Sequence, residues 1–77
     1  MTQREWQDKF RNKLISVMRD RNVGQNQLAR RSGLSTSRIS DYVNGRAVPS
    51  VYAIVNMAYA LDVSTNELAD FNERIAR

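Results

Sequence analysis

The sequence predicts an all-α fold of five helices in one compact domain spanning residues 1–77. Three observations predict it. Apolar residues recur at spacings of three and four, the signature of a one-sided helix. A hydroxyl residue stands at the start of four of the five runs, and glycines or a proline separate them. No run alternates apolar and polar residues as a half-buried strand would. Seventy-seven residues are too few for two cores, and 42% apolar content suffices for one without disulfide or metal.

Thr2-Gln3-Arg4-Glu5 reads as a capping box that opens the first helix. Trp6, Phe10, Leu14, Val17 and Met18 then mark its inner face as far as Arg21. Asn22-Val23-Gly24 ends it, with Gly24 suited either to a left-handed stop or to capping the next helix. The second helix covers about 25–32, with Leu28 and Ala29 inward and Gly33 as its left-handed stop. Ser35 caps the third, 36–43, between the staple residues Leu34 and Ile39. Asn44-Gly45 closes it. Two helices joined so tightly around a glycine form a helix-turn-helix. Pro49 and Ser50 start the fourth, whose inner face is read as Val51, Ile54, Val55, Ala58 and Leu61. Ser64-Thr65-Asn66-Glu67 is a second capping box, flanked by Val63 and Leu68, and predicts a fifth helix.

Composition narrows the function. Neither Cys nor His occurs, which removes thiol nucleophiles, disulfides, the usual zinc ligands and imidazole acid–base chemistry. No paired carboxylate or lysine constellation points to an enzyme, and neither a cofactor nor a metal is expected. No run approaches the roughly 20 apolar residues of a membrane span, so a cytoplasmic location with no membrane partner is expected. The net charge is +4, unevenly placed. Residues 1–23 carry six basic and three acidic side chains, residues 24–49 four and one, and residues 50–77 two and four. A basic front and an acidic back suit a polyanion on one side.

The run Gln25-Asn26-Gln27-Leu28-Ala29-Arg30-Arg31-Ser32-Gly33-Leu34-Ser35, followed by Ile39-Ser40, Asn44-Gly45-Arg46 and Pro49, resembles the phage repressor and Cro-like helix-turn-helix family. Ala58, Leu61, Val63-Ser64 and Glu67-Leu68 match the family's closing pattern, so the likeness covers about residues 10–70 without a gap. It implies a repressor-like DNA-binding fold and sequence-specific binding of double-stranded DNA, with helix 36–43 in the major groove. A bacterial or phage transcriptional repressor is the expected role. The antitoxin of a toxin–antitoxin pair, with a toxin as partner, or a helical interaction module that no longer binds DNA are the alternatives.

By this resemblance Thr36, Ser37, Ser40 and Asp41 take base-reading positions. All four are short and polar, which suits entry into the groove; Thr36 can offer a methyl to thymine, and Asp41 can accept from a cytosine amino group. Gln25, Ser35, Arg38, Asn44 and Arg46 are expected on flanking phosphates, Gln25 because a helix start favours an anion. Two departures stand out. Where the family pairs an arginine late in helix one with a glutamate before the asparagine–glycine turn, this chain has Met18 and Val43. The reading arc also lacks Arg, Lys and Gln, the side chains best fitted to bidentate base contacts, and its Asp41 needs Arg38 or a base to neutralise it.

A small reading surface implies a homodimer on a palindromic operator. Leu68, Phe71 and Ile75 form an apolar stripe at helical spacing and are read as the dimer surface, with Tyr52 and Tyr59 near it. The competing reading folds helix five back, so that Phe71 and Ile75 cover Trp6 and Phe10.

Overall fold

The structure is a computed structural model that describes residues 1–69. Its helices are α1 (Gln3–Arg21), α2 (Gln25–Ser32), α3 (Thr36–Val43) and α4 (Val51–Leu61), followed by a 3₁₀ turn at Thr65–Glu67. α2 packs against both α3 and α4, while α1 crosses α3 and α4 from the other side. Phe10, Leu14 and Met18 of α1 meet Leu28, Ile39, Ile54, Met57 and Leu61 in one core. Trp6 stacks on Phe10 with ring centroids 5.7 Å apart, and Phe10 takes Tyr42 of α3 edge-on at 6.4 Å. Those rings tie α3 to α1.

The helix starts lie where hydroxyl caps predict them. The Glu5 N–H donates to Thr2 Oγ1 at 3.2 Å, the Arg38 N–H to Ser35 Oγ at 3.1 Å, and the Ala53 N–H to Ser50 Oγ at 3.0 Å. Three helices end in the same way. A left-handed residue turns the chain, and the next residue donates its N–H back to a carbonyl five positions earlier. Asn22 (φ 56°) does this for α1, with Val23 N–H on Met18 O at 2.9 Å. Asp62 (φ 57°) does it for α4, with Val63 N–H on Ala58 O at 3.0 Å. Gly45 (φ 70°) does it for α3, with Arg46 N–H on Asp41 O at 2.8 Å. Gly24 is not a left-handed stop: at φ −85° it precedes α2 as its cap, and Asn22 takes the stop instead.

Two expectations need correction here. Four α-helices, not five, occur among the described residues. The cap at Ser64 is real, its N–H donating to Glu67 Oε2 at 2.9 Å, but only a 3₁₀ turn follows. A capping box nucleates a turn and says nothing of propagation, which needs tertiary support residue by residue. Leu68 and Ala69 instead enter the core. Leu68 is fully buried, so it closes this domain's own core and offers no surface to a second copy. Phe71 and Ile75, its partners in the expected stripe, lie outside the described residues.

The second correction concerns α4. Val51 and Val55, expected inward, are 65% and 46% exposed, and the inner arc is Ala53, Ile54, Met57, Ala58 and Leu61. α4 is apolar almost all round, so hydrophobicity alone does not choose its face. Packing against α1, α2 and the turn at Thr65–Glu67 decides it.

Candidate nucleic-acid interface

The joint between α2 and α3 is built from four residues with distinct tasks. Gly33 (φ 74°) stops α2, its N–H on Ala29 O at 3.0 Å. Ser32 is buried and spans the turn, donating from Oγ to Ala29 O and accepting from Leu34 N–H, both at 3.3 Å. Leu34 is buried beside it, and Ser35 caps α3. Sequence reasoning placed Ser32 only as the end of α2; a serine directly before the stop glycine was the available signal. This turn fixes α3 rigidly against α2, with Leu28, Ala29, Ile39 and Tyr42 buried.

With Ile39 and Tyr42 inward, the opposite arc of α3 faces out. Thr36 and Ser37 are exposed, and Ser40 and Asp41 are half-exposed, so the four expected reading residues do share one face. Met18 is buried and Val43 half-buried against the same core, where a single charge in place of either would be stranded.

The other end of α3 departs from expectation. Arg46 does not extend away from the helix. Its Nε donates to Asp41 Oδ1 at 3.0 Å and its Nη2 to Ser40 Oγ at 3.2 Å. Arg46, not Arg38, is therefore the cation that neutralises Asp41. Residues five apart do not face each other on a helix; the fold-back at Gly45 brings them together. Asn44 also turns inward on its own helix, donating from Nδ2 to Ser40 O at 2.8 Å and Ser40 Oγ at 3.3 Å. The Asn44 amide nitrogen is thus held on Ser40. Gln7 Nε2 donates to Gly45 O at 2.9 Å, which braces the turn from α1. A Cβ on Gly45 would meet the Arg11 side chain at 3.3 Å, so glycine is favoured there by both φ and space.

The remaining expected phosphate residues flank this face. Gln25 is exposed at the first position of α2 and shares a shallow depression with Gly24, Asn26, Gln27, Arg30 and Arg31. Arg38 is exposed, and no carboxylate pairs with it among the described residues. Ser35 is exposed, with its oxygen committed to the cap. No group of three or more potential metal ligands occurs among the described residues.

A second surface was misjudged from sequence. Among the described residues Val48, Val51, Tyr52, Val55 and Tyr59 are the exposed large apolar ones, and four of them lie on the outward arc of α4. Residues 51–61 carry no charge.

Comparison with known proteins agrees with this architecture. No curated protein matches the chain. Among solved structures the chain is similar to the restriction-modification controller protein C.AhdI from Aeromonas hydrophila, with a TM-score of 0.74 and 32% identity. That alignment covers 78% of this chain and 91% of C.AhdI. A family profile described as a helix-turn-helix domain matches residues 10–71. This span contains α2, its glycine turn and α3 together with the helices that brace them, and the chain belongs to the helix-turn-helix family in its repressor and Cro-like form.

Proposed function

We propose that this chain is a transcription regulator that binds double-stranded DNA sequence-specifically and represses by occupying its operator. The observation that carries this reading is the outward face of α3, short and polar along its length and held at a fixed angle by a buried turn. Such a helix enters a major groove without steric obstruction. Thr36, Ser37, Ser40 and Asp41 read bases from it. Gln25, at the positive end of α2, together with Arg38 and the hydroxyl of Ser35, holds the flanking phosphates. The likeness to a restriction-modification controller favours a free-standing regulator of that kind over the antitoxin of a toxin–antitoxin pair.

The regulator acts as a homodimer on a palindromic site, because one short helix gives a small interface and two half-sites about one helical turn (roughly 34 Å) apart double it. With Leu68 in the core, the second copy is assigned to the outward face of α4, centred on Val51, Tyr52, Val55 and Tyr59. Its lack of charge suits a self-complementary contact, in which the same apolar patch is buried on both copies.

Selection of bound sequences from a random duplex pool tests the proposal. The expected result is an enriched motif with two inverted half-sites and an affinity that falls steeply with salt. Recovery of the starting pool at every salt concentration would refute it.

A further inference from the structure

Resting on the reading of α3 as the base-contacting helix, we infer that Arg46 is a base-reading side chain. Ser40 and Asp41 aim it from below to select guanine. The residue type and its place after the turn suggested a phosphate contact; its geometry does not. A phosphate ligand at the end of a reading helix points outward to the strand, whereas this guanidinium lies back along α3 over two reading positions.

The stereochemistry of the guanidinium carries the inference. Arginine offers its hydrogens along two usable edges, one formed by Nε and Nη2, the other by Nη1 and Nη2. The two bonds to α3 come from Nε and Nη2: Nε–H on Asp41 Oδ1 at 3.0 Å, and Nη2–H on Ser40 Oγ at 3.2 Å. Nη1 makes no hydrogen bond among the described residues, Nη2 keeps a second hydrogen, and the side chain is 57% exposed. Two parallel donors match guanine O6 and N7, the pair that arginine recognises bidentately in the major groove. The reading arc thereby regains the long fork that its own sequence lacks, delivered from the turn.

The same network restricts its neighbours. Ser40 Oγ already accepts from Arg46 Nη2 and from Asn44 Nδ2, so its hydroxyl is left as a donor only. Asp41 keeps Oδ2 as an acceptor, suited to a cytosine amino group beside the guanine. The carboxylate next to the phosphates is tolerable because the guanidinium neutralises it before DNA arrives. Asp41 and Ser40 are positioning residues here, acting on guanine through Arg46.

The test is motif selection and quantitative competition with the wild type and with Arg46→Lys, Arg46→Ala and Asp41→Ala, alongside the salt dependence of binding. Arg46 is exposed and Asp41 half-exposed, so all three variants should fold, which thermal melts check. Arg46→Lys keeps the charge and loses the fork. It should reduce guanine preference at one position of each half-site by roughly 5- to 150-fold while leaving the salt slope unchanged. Asp41→Ala should lose the same preference while binding unrelated DNA more tightly. A wild-type motif kept intact by Arg46→Lys, with Arg46→Ala weakening all sequences alike, would overturn the assignment and make Arg46 a phosphate contact. A wild type that enriches no motif would refute the base-reading function itself, which is a different result.

Discussion

α3 and α4 are both short helices that press one face into the same core, yet their outer faces have opposite chemistry. α3 presents hydroxyls and a carboxylate braced by Arg46. α4 presents two valines and two tyrosines over a stretch without a single charge. That both bury one face does not tell their roles apart. What separates them is what each outward face can satisfy. Polar groups at fixed positions can replace water with base edges at little cost, whereas exposed tyrosines and valines gain by leaving water altogether. On this difference rests the proposal that α3 meets DNA and α4 a second copy of the chain.

The most disruptive way to break the comparison is to loosen α3 from its support. Met18→Arg places an unpaired cation in the core and should cost about 3–5 kcal/mol, with Val43→Glu costing less because Val43 is only half-buried. The double variant should recover much of the loss. Chemical denaturation of the four proteins measures the coupling, and additive losses would show that the two positions do not interact.

A gentler comparison leaves the fold intact and exchanges the roles of the two faces. Thr36→Ala and Ser37→Ala should alter the preferred sequence, each lost contact changing discrimination by about 1–3 kcal/mol, with no effect on sedimentation. Val55→Asp and Tyr59→Asp should do the reverse, giving a monomer in sedimentation that still contacts a half-site weakly. Motif changes caused by the α4 substitutions, with none from α3, would invert the assignment.

The smallest effect concerns the start of α3. Ser35→Ala removes the hydroxyl that accepts from Arg38 N–H and should lower stability by about 1 kcal/mol, read as a shift in the denaturation midpoint. An unchanged midpoint would mean that water caps this end equally well.

Local chemistry made much of this architecture legible. Caps at Thr2, Ser35 and Ser50 and the stop at Gly33 are decided by residues within one turn of themselves, and the sequence contains all of them. The shared face of Thr36, Ser37, Ser40 and Asp41 follows from helical periodicity. The failures fall where a nonlocal choice decides. α4 has apolar residues on every side, so only packing against its neighbours shows which of them stay out. The turn at Thr65–Glu67 begins as a helix does, and its end is set by the burial of Leu68 and Ala69. The Arg46–Asp41 pair spans five residues, a spacing that brings side chains together only when a left-handed glycine folds the chain back. No periodic pattern contains it.

The most direct test of the division between α3 and α4 is a set of isotope-filtered nuclear Overhauser measurements on methyl-labelled protein bound to its selected duplex. The methyl of Thr36 should show contacts to base protons in the major groove, while the methyls of Val51 and Val55 show contacts to protein protons alone. DNA contacts at Val51 or Val55, with none at Thr36, would contradict the account.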